Sequence, residues 1–187
     1  MKYKTQTLKK YLDDLSAKLP APGGGSAASL NAAMAASLIS MVINFTLGKD
    51  KYAAFWPELK DMLIKSERLR KDFLELVDLD VLAYQSKDIR KAIDVPFMLA
   101  RLSLQAARFC LPLTKKGNIN LISDVAVAAV MLESAFAGAV YNVEINLKGL
   151  KDVKLSKNIK QELARMYREI ISIRKKTEVA VGKIIRG

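Results

Sequence analysis

Few residue types in this 187-residue chain could carry chemistry, because histidine is absent. That removes the usual general base, the usual metal ligand and every His-dependent triad. Cys110 is the single cysteine, so neither a disulfide framework nor a cysteine-based zinc site is available and no metal is expected. Catalysis would have to use Asp, Glu, Lys, Tyr, Ser or bound water. The most pointed stretch is Pro20-Ala21-Pro22-Gly23-Gly24-Gly25-Ser26, which runs into the uncharged segment Ala27–Gly48. Two prolines restrict φ and three glycines free it, so the chain can turn sharply into a helix, with Ser26 placed as its N-cap. Unpaired N–H groups at such a turn suit a carboxylate, a phosphate or a developing oxyanion. The spacing is neither G-x-G-x-x-G nor a Walker A loop, so the glycines alone are equally compatible with a plain turn.

Further polar groups sit within apolar surroundings. Ser26, Ser29, Ser37, Ser40 and Asn44 fall within a stripe about 80° wide on the uncharged helix. Buried polar groups need partners, which here means another helix, water, a ligand or the preceding turn of the same helix. Ser123-Asp124 reads as an N-cap and first-turn pair ahead of Val125–Val143, where Glu133 is the only charge. Asp124 and Asn142 lie 18 residues apart, five full turns and so about 27 Å along one helix. One reacting centre within a single subunit cannot touch both. They could serve two ends of a long ligand or two sites in a dimer.

The elements that must position these groups are all helical. Leu8, Leu12, Leu15 and Leu19 mark a short amphipathic helix. The uncharged helix follows. Pro57 opens a third helix that runs toward Tyr84, and Asp94-Val95-Pro96 reads as the start of another, ending about Pro112. Lys116-Gly117-Asn118 is a stop, Gly149 ends the second uncharged helix, and Ser156 opens the last. The expectation is one all-α domain over residues 1–187, a multihelical bundle of about six helices with two nearly uncharged central helices. Ala27–Gly48 has the length of a membrane span, but Asn31, Ser37, Ser40 and Asn44 interrupt it and alanine supplies much of its bulk. A soluble bundle without a membrane partner, in a reducing cytoplasm, fits better. Two wholly buried helices are many for a chain this size, so a homodimer is expected to extend the core. Of the formal charge of +12, residues 148–187 contribute +8, from 12 Lys+Arg against 4 Asp+Glu. That surplus could attract an anionic ligand or nucleic acid, although the few aromatics and the lack of a nucleic-acid motif make nucleic acid the weaker partner.

These blocks together resemble the formiminotransferase-cyclodeaminase family, the folate cyclodeaminases and methenyltetrahydrofolate cyclohydrolases. The resemblance rests on Pro20–Ser26, on Met41-Val42 with Asn44 and Thr46, and on Gly48-Lys49 with Lys51-Tyr52. It continues through Asp78, Asp80 and Ala83-Tyr84, then Val95-Pro96, then Gly117-Asn118, Asn120 and Ile122–Val125. Gly138-Ala139, Asn142-Val143 and Ile145-Asn146-Leu147 complete it. It implies a dimeric multihelical fold and an enzyme acting on a formimino- or methenyl-tetrahydrofolate, with no permanently bound cofactor. In that setting Pro22, Gly23, Gly24, Gly25 and Ser26 are expected to hold an anionic or carbonyl part of the folate. Asp124 is the expected proton-transfer group and Lys49 the electrostatic one, with Asn44, Asn120 and Ser123 orienting the ligand. One departure stands out: only Gln85–Asp94 separates Tyr84 from Val95, where the family pattern is similar but longer. That shortening implies altered binding, another substrate, or a non-catalytic helical relative.

Overall fold

The computed structural model describes residues 2–187 and contains, among them, seven α-helices and no strand. They are α1 (Leu8–Ser16), α2 (Gly24–Asn44), α3 (Trp56–Ser86), α4 (Ile89–Ala107), α5 (Cys110–Lys116), α6 (Ile122–Leu147) and α7 (Val153–Arg186). The all-α expectation holds, and the two nearly uncharged helices are central as expected.

α2 and α6 run antiparallel and close together. Asn31 donates from its side chain to the Met131 carbonyl at 3.0 Å, and a Cβ on Gly138 would lie 3.1 Å from the Ala28 methyl. Small residues permit this approach. Ala32, Ala33, Ala35 and Ala36 of α2 and Ala128, Ala129, Ala135 and Ala139 of α6 are all buried in one core. α3 and α4 flank the pair, and Phe73, Leu76, Ile93, Leu99, Leu132 and Phe136 fill the core between them. Each such side chain stabilises the fold by about 1.5–3 kcal/mol relative to exposure. α7 closes the remaining side, tied to α4 by a two-pronged Arg101–Glu162 pair and by Arg108–Glu169 at 2.8 Å.

The two apolar helices are not equally buried. In the most apolar 18-residue windows, 61% of α2 is buried but only 39% of α6. Val127, Val130, Ser134 and Tyr141 of α6 stay exposed and form a helical stripe without charge. The expectation of two wholly buried helices is thus corrected for α6.

Several helix starts also move. α4 begins at Ile89 rather than near Pro96, because Asp88 accepts the N–H groups of Arg90 and Lys91 and caps it there. Lys87, at φ 56°, turns the chain between α3 and α4 in two residues. Pro96 therefore sits inside α4. Pro112 does not end a helix but lies in the first turn of the separate α5, where its missing N–H costs nothing. α7 begins at Val153, capped by Asp152, three residues before Ser156.

Candidate active site

The first turn of α2 abuts α3 through a carboxylate. Ser26 N–H donates to Asp80 Oδ2 at 2.9 Å. Gly23, with extended backbone, is the N-cap of α2; Ser26 lies inside the first turn. Ser26 is thus neither the expected cap nor a wall of the cavity, because Asp80 supplies from α3 the acceptor that a capping side chain would have provided. Gly25 is required by space. A Cβ there would lie 2.0 Å from Asp80 Oδ1, so the carboxylate occupies the room that a side chain would take. Among the described residues the N–H groups of Gly24 and Gly25 have no acceptor.

The N-terminal segment backs this turn. Tyr11 on α1 is buried and donates its hydroxyl to Ser26 Oγ at 3.2 Å. Tyr3 packs edge-on to Tyr11 and donates its hydroxyl to Asp14 at 3.0 Å, while its N–H reaches Asp78 Oδ1 at 2.6 Å. Tyr3, Tyr11, Val77 and Val81 form their own small cluster behind the glycines. Pro22 is buried in the turn and, like Ser26, does not line the cavity.

In front of the turn lies a cavity of about 300 Å³, lined by Gly23, Gly24, Gly25, Asp80, Tyr84, Asn142 and Asn146 among others. Asn142 donates its side-chain N–H to the Gly138 carbonyl at 2.8 Å, and Asn146 donates to the Ala92 carbonyl at 2.6 Å. A carbonyl only accepts, so the amino end of each amide is committed and each oxygen remains an acceptor. Burial pushes the Asp80 carboxyl above the ordinary aspartate value, with the Ser26 N–H pulling the other way. The cavity thus combines free backbone donors, two amide oxygens and a carboxyl inclined to keep its proton.

The other expected site residues gather at the opposite end of the α2–α6 pair. Asn118 N–H donates to Thr46 Oγ1 at 2.8 Å, its side chain donates to the Phe45 carbonyl at 3.2 Å, and Ile119 N–H donates to the Tyr52 hydroxyl at 3.1 Å. These bonds stitch the loop after α2 to the loop before α6. Asn44, Lys49, Asn120 and Ser123 are exposed there. Asp124 is half-buried in the first turn of α6, which starts at Ile122, so Ser123 is not its cap. None of the five lines the glycine cavity. Eighteen residues of helix separate Asp124 from Asn142, about 27 Å. Within one subunit the expected site is therefore two half-sites. Asp80 and Asn146 were not among the expected site residues, and Asn142 was expected only at the far end of a long ligand or in a dimer's second site. The available signals were the acidic pair Asp78 and Asp80 in an apolar run, and two asparagines one turn apart.

The chain matches the sequence pattern of the formiminotransferase-cyclodeaminase family over residues 7–87 and 85–165. These stretches contain both half-sites and meet where α3 passes into α4. The chain belongs to this family. It is 32% identical to the methenyltetrahydrofolate cyclohydrolase of Methylorubrum extorquens, with 88% of this chain and 90% of that protein aligned. It is 27% identical to the formimidoyltransferase-cyclodeaminase of Rattus norvegicus over 87% of this chain but only 34% of that protein. The fold is that of the solved formiminotetrahydrofolate cyclodeaminase from Thermotoga maritima, with a TM-score of 0.93 and 29% identity over 97% of this chain and 98% of that one. The expected family and fold are both borne out.

Proposed function

We propose that this member of the family is an enzyme acting on the one-carbon unit of a tetrahydrofolate, as a cyclodeaminase or a cyclohydrolase, and that the glycine cavity is where it acts. The relatives' names support the substrate class. The observation that carries the reading is the Asp80 carboxyl, gripped by Ser26 N–H over Gly25 and facing a cavity with two amide oxygens.

Both reactions pass through a tetrahedral carbon between two nitrogens. In ring hydrolysis, water adds to the cationic methenyl carbon and loses a proton, the resulting hydroxyl loses its own as the carbonyl forms, and one C–N bond breaks as its nitrogen gains a proton. In cyclodeamination, a folate N–H nitrogen adds to the formimino carbon and loses its proton, and the imino nitrogen gains two protons and leaves as ammonia. Each reaction therefore needs a proton delivered to a departing nitrogen. A carboxyl whose hold on its proton is strengthened by burial is suited to deliver it to the departing nitrogen. The Asn142 and Asn146 oxygens accept from ring N–H groups, and the free Gly24 and Gly25 N–H groups hold a carbonyl or anionic oxygen.

The second half-site joins through a homodimer. Asp124 and Asn142 lie nine residues to either side of Glu133 on α6, and the stripe Val127, Val130, Ser134 and Tyr141 between them is exposed and uncharged. A two-fold axis across that stripe lays two copies of α6 antiparallel and brings the partner's Asp124 level with Asn142. Asp124 and Lys49 then face the cavity from the second copy, with Asn44, Asn120 and Ser123 beside them. Methenyltetrahydrofolate absorbance, followed in both directions with ammonia measured in parallel, tests the reading. Loss of the methenyl form marks a cyclohydrolase; its appearance with ammonia from the formimino form marks a cyclodeaminase. No turnover of either contradicts it.

A further inference from the structure

Pro96 occupies the interior of α4, where a proline is costly because it removes a hydrogen bond. The carbonyl deprived of its helical donor is that of Ala92, four residues back. Asn146, on α6, donates its side-chain N–H to that same carbonyl at 2.6 Å. We propose that Pro96 is a positioning residue for Asn146, a proposal that rests on the glycine cavity being the substrate site. Ala92 and Asn146 both line the cavity, whereas Pro96 is buried and does not. The proline acts only through what it withholds.

Asn142 is anchored differently. Asn142 anchors its amide on the carbonyl one turn back in its own helix, that of Gly138. Asn146 takes no such bond and reaches to α4 instead. In a complete helix the Ala92 carbonyl would already accept the N–H of residue 96. Pro96 keeps it open, and an open carbonyl holds only the amino end of an amide. The flip of Asn146, and with it the place of its oxygen acceptor, is thereby fixed. Ala92 is half-buried, and a half-buried carbonyl without a protein donor is also costly, so the two residues satisfy each other.

Pro96→Ala restores the helical N–H and sets it in competition with Asn146. In amide-correlated NMR of the full chain, the Asn146 side-chain N–H₂ pair should shift and exchange faster with water in this variant. Thermal stability should not fall, since alanine is the better helix former. KM for the folate should rise about 2–10-fold, the value of one hydrogen bond, while kcat changes less. Adding Asn146→Ala to Pro96→Ala should cost no more than Asn146→Ala alone. An unmoved Asn146 amide in Pro96→Ala, or effects of the two substitutions that multiply, overturns the proposal. Full activity in Asn146→Ala would instead contradict the cavity reading, and the amide signal would still decide whether Pro96 positions Asn146.

Discussion

Asp80 and Gly25 form one unit, and each predicts a distinct outcome. A carboxyl whose folded pKa is raised binds its proton more tightly in the native state. Its favourable contribution is present below the ordinary carboxylate range and is lost as pH rises through the folded value. Asp80→Asn keeps an acceptor for Ser26 N–H and removes the burdened charge. The variant should therefore resist urea better than wild type at pH 7, with the advantage vanishing in acid, while turnover falls by roughly 10²–10⁴-fold. Urea midpoints across pH check the first part; a wild type that is the more stable at pH 7 contradicts it. Gly25→Ala should displace the Asp80 carboxyl, since its methyl would sit 2.0 Å from Oδ1, and cost about 1–3 kcal/mol through overpacking. Activity should fall as in the Asp80 variant while helical circular dichroism remains. The glycines were visible in the sequence because glycine announces a backbone requirement. Asp80 was not, because its role comes from a residue 54 positions away, and an acidic pair in an apolar run does not name its partner.

Among the helices, the local signals that succeeded were those with local causes. Pro57 in the first turn of α3 and the stop at Gly117 were read correctly, since each acts within a turn of itself. The start of α4 was misplaced because two capping aspartates compete. Asp88 prevails by following the tight turn at Lys87, and Pro96 is tolerated inside the helix through Asn146, which no local reading supplies. The serine stripe of α2 proved structural: Ser29 and Ser37 bond back to the carbonyls of Gly25 and Ala33, and Ser40 pairs with Ser66 on α3. The segment bearing α1 offers a direct test of how the glycine turn is held. Tyr11→Phe removes one hydroxyl that donates to Ser26 and should lower stability by about 1 kcal/mol, read as a reduced urea midpoint with an unchanged slope. An unchanged midpoint would mean that the turn is held without this hydroxyl.

For the proposed dimer, the exposed uncharged face of α6 makes the strongest demand. The formal charge of +12 would oppose association of two copies, so the contact must rest on apolar burial along that face. Val130→Asp should shift sedimentation of the protein from dimer to monomer and abolish turnover together, with the helices intact. The expectation of a second copy came from two apolar helices and from the distance between Asp124 and Asn142; the placement of each half-site required the antiparallel packing of α2 on α6. Subunit complementation tests the composite site most directly. Asp80→Asn and Asp124→Asn, each purified as a nearly inactive dimer, are mixed in equal amounts, allowed to exchange subunits and assayed. If each site takes Asp80 from one copy and Asp124 from the other, mixed dimers hold one intact site, and activity should return to about a quarter of wild type. No recovery after verified subunit exchange would place both carboxyl groups in the same subunit's site and would contradict the account.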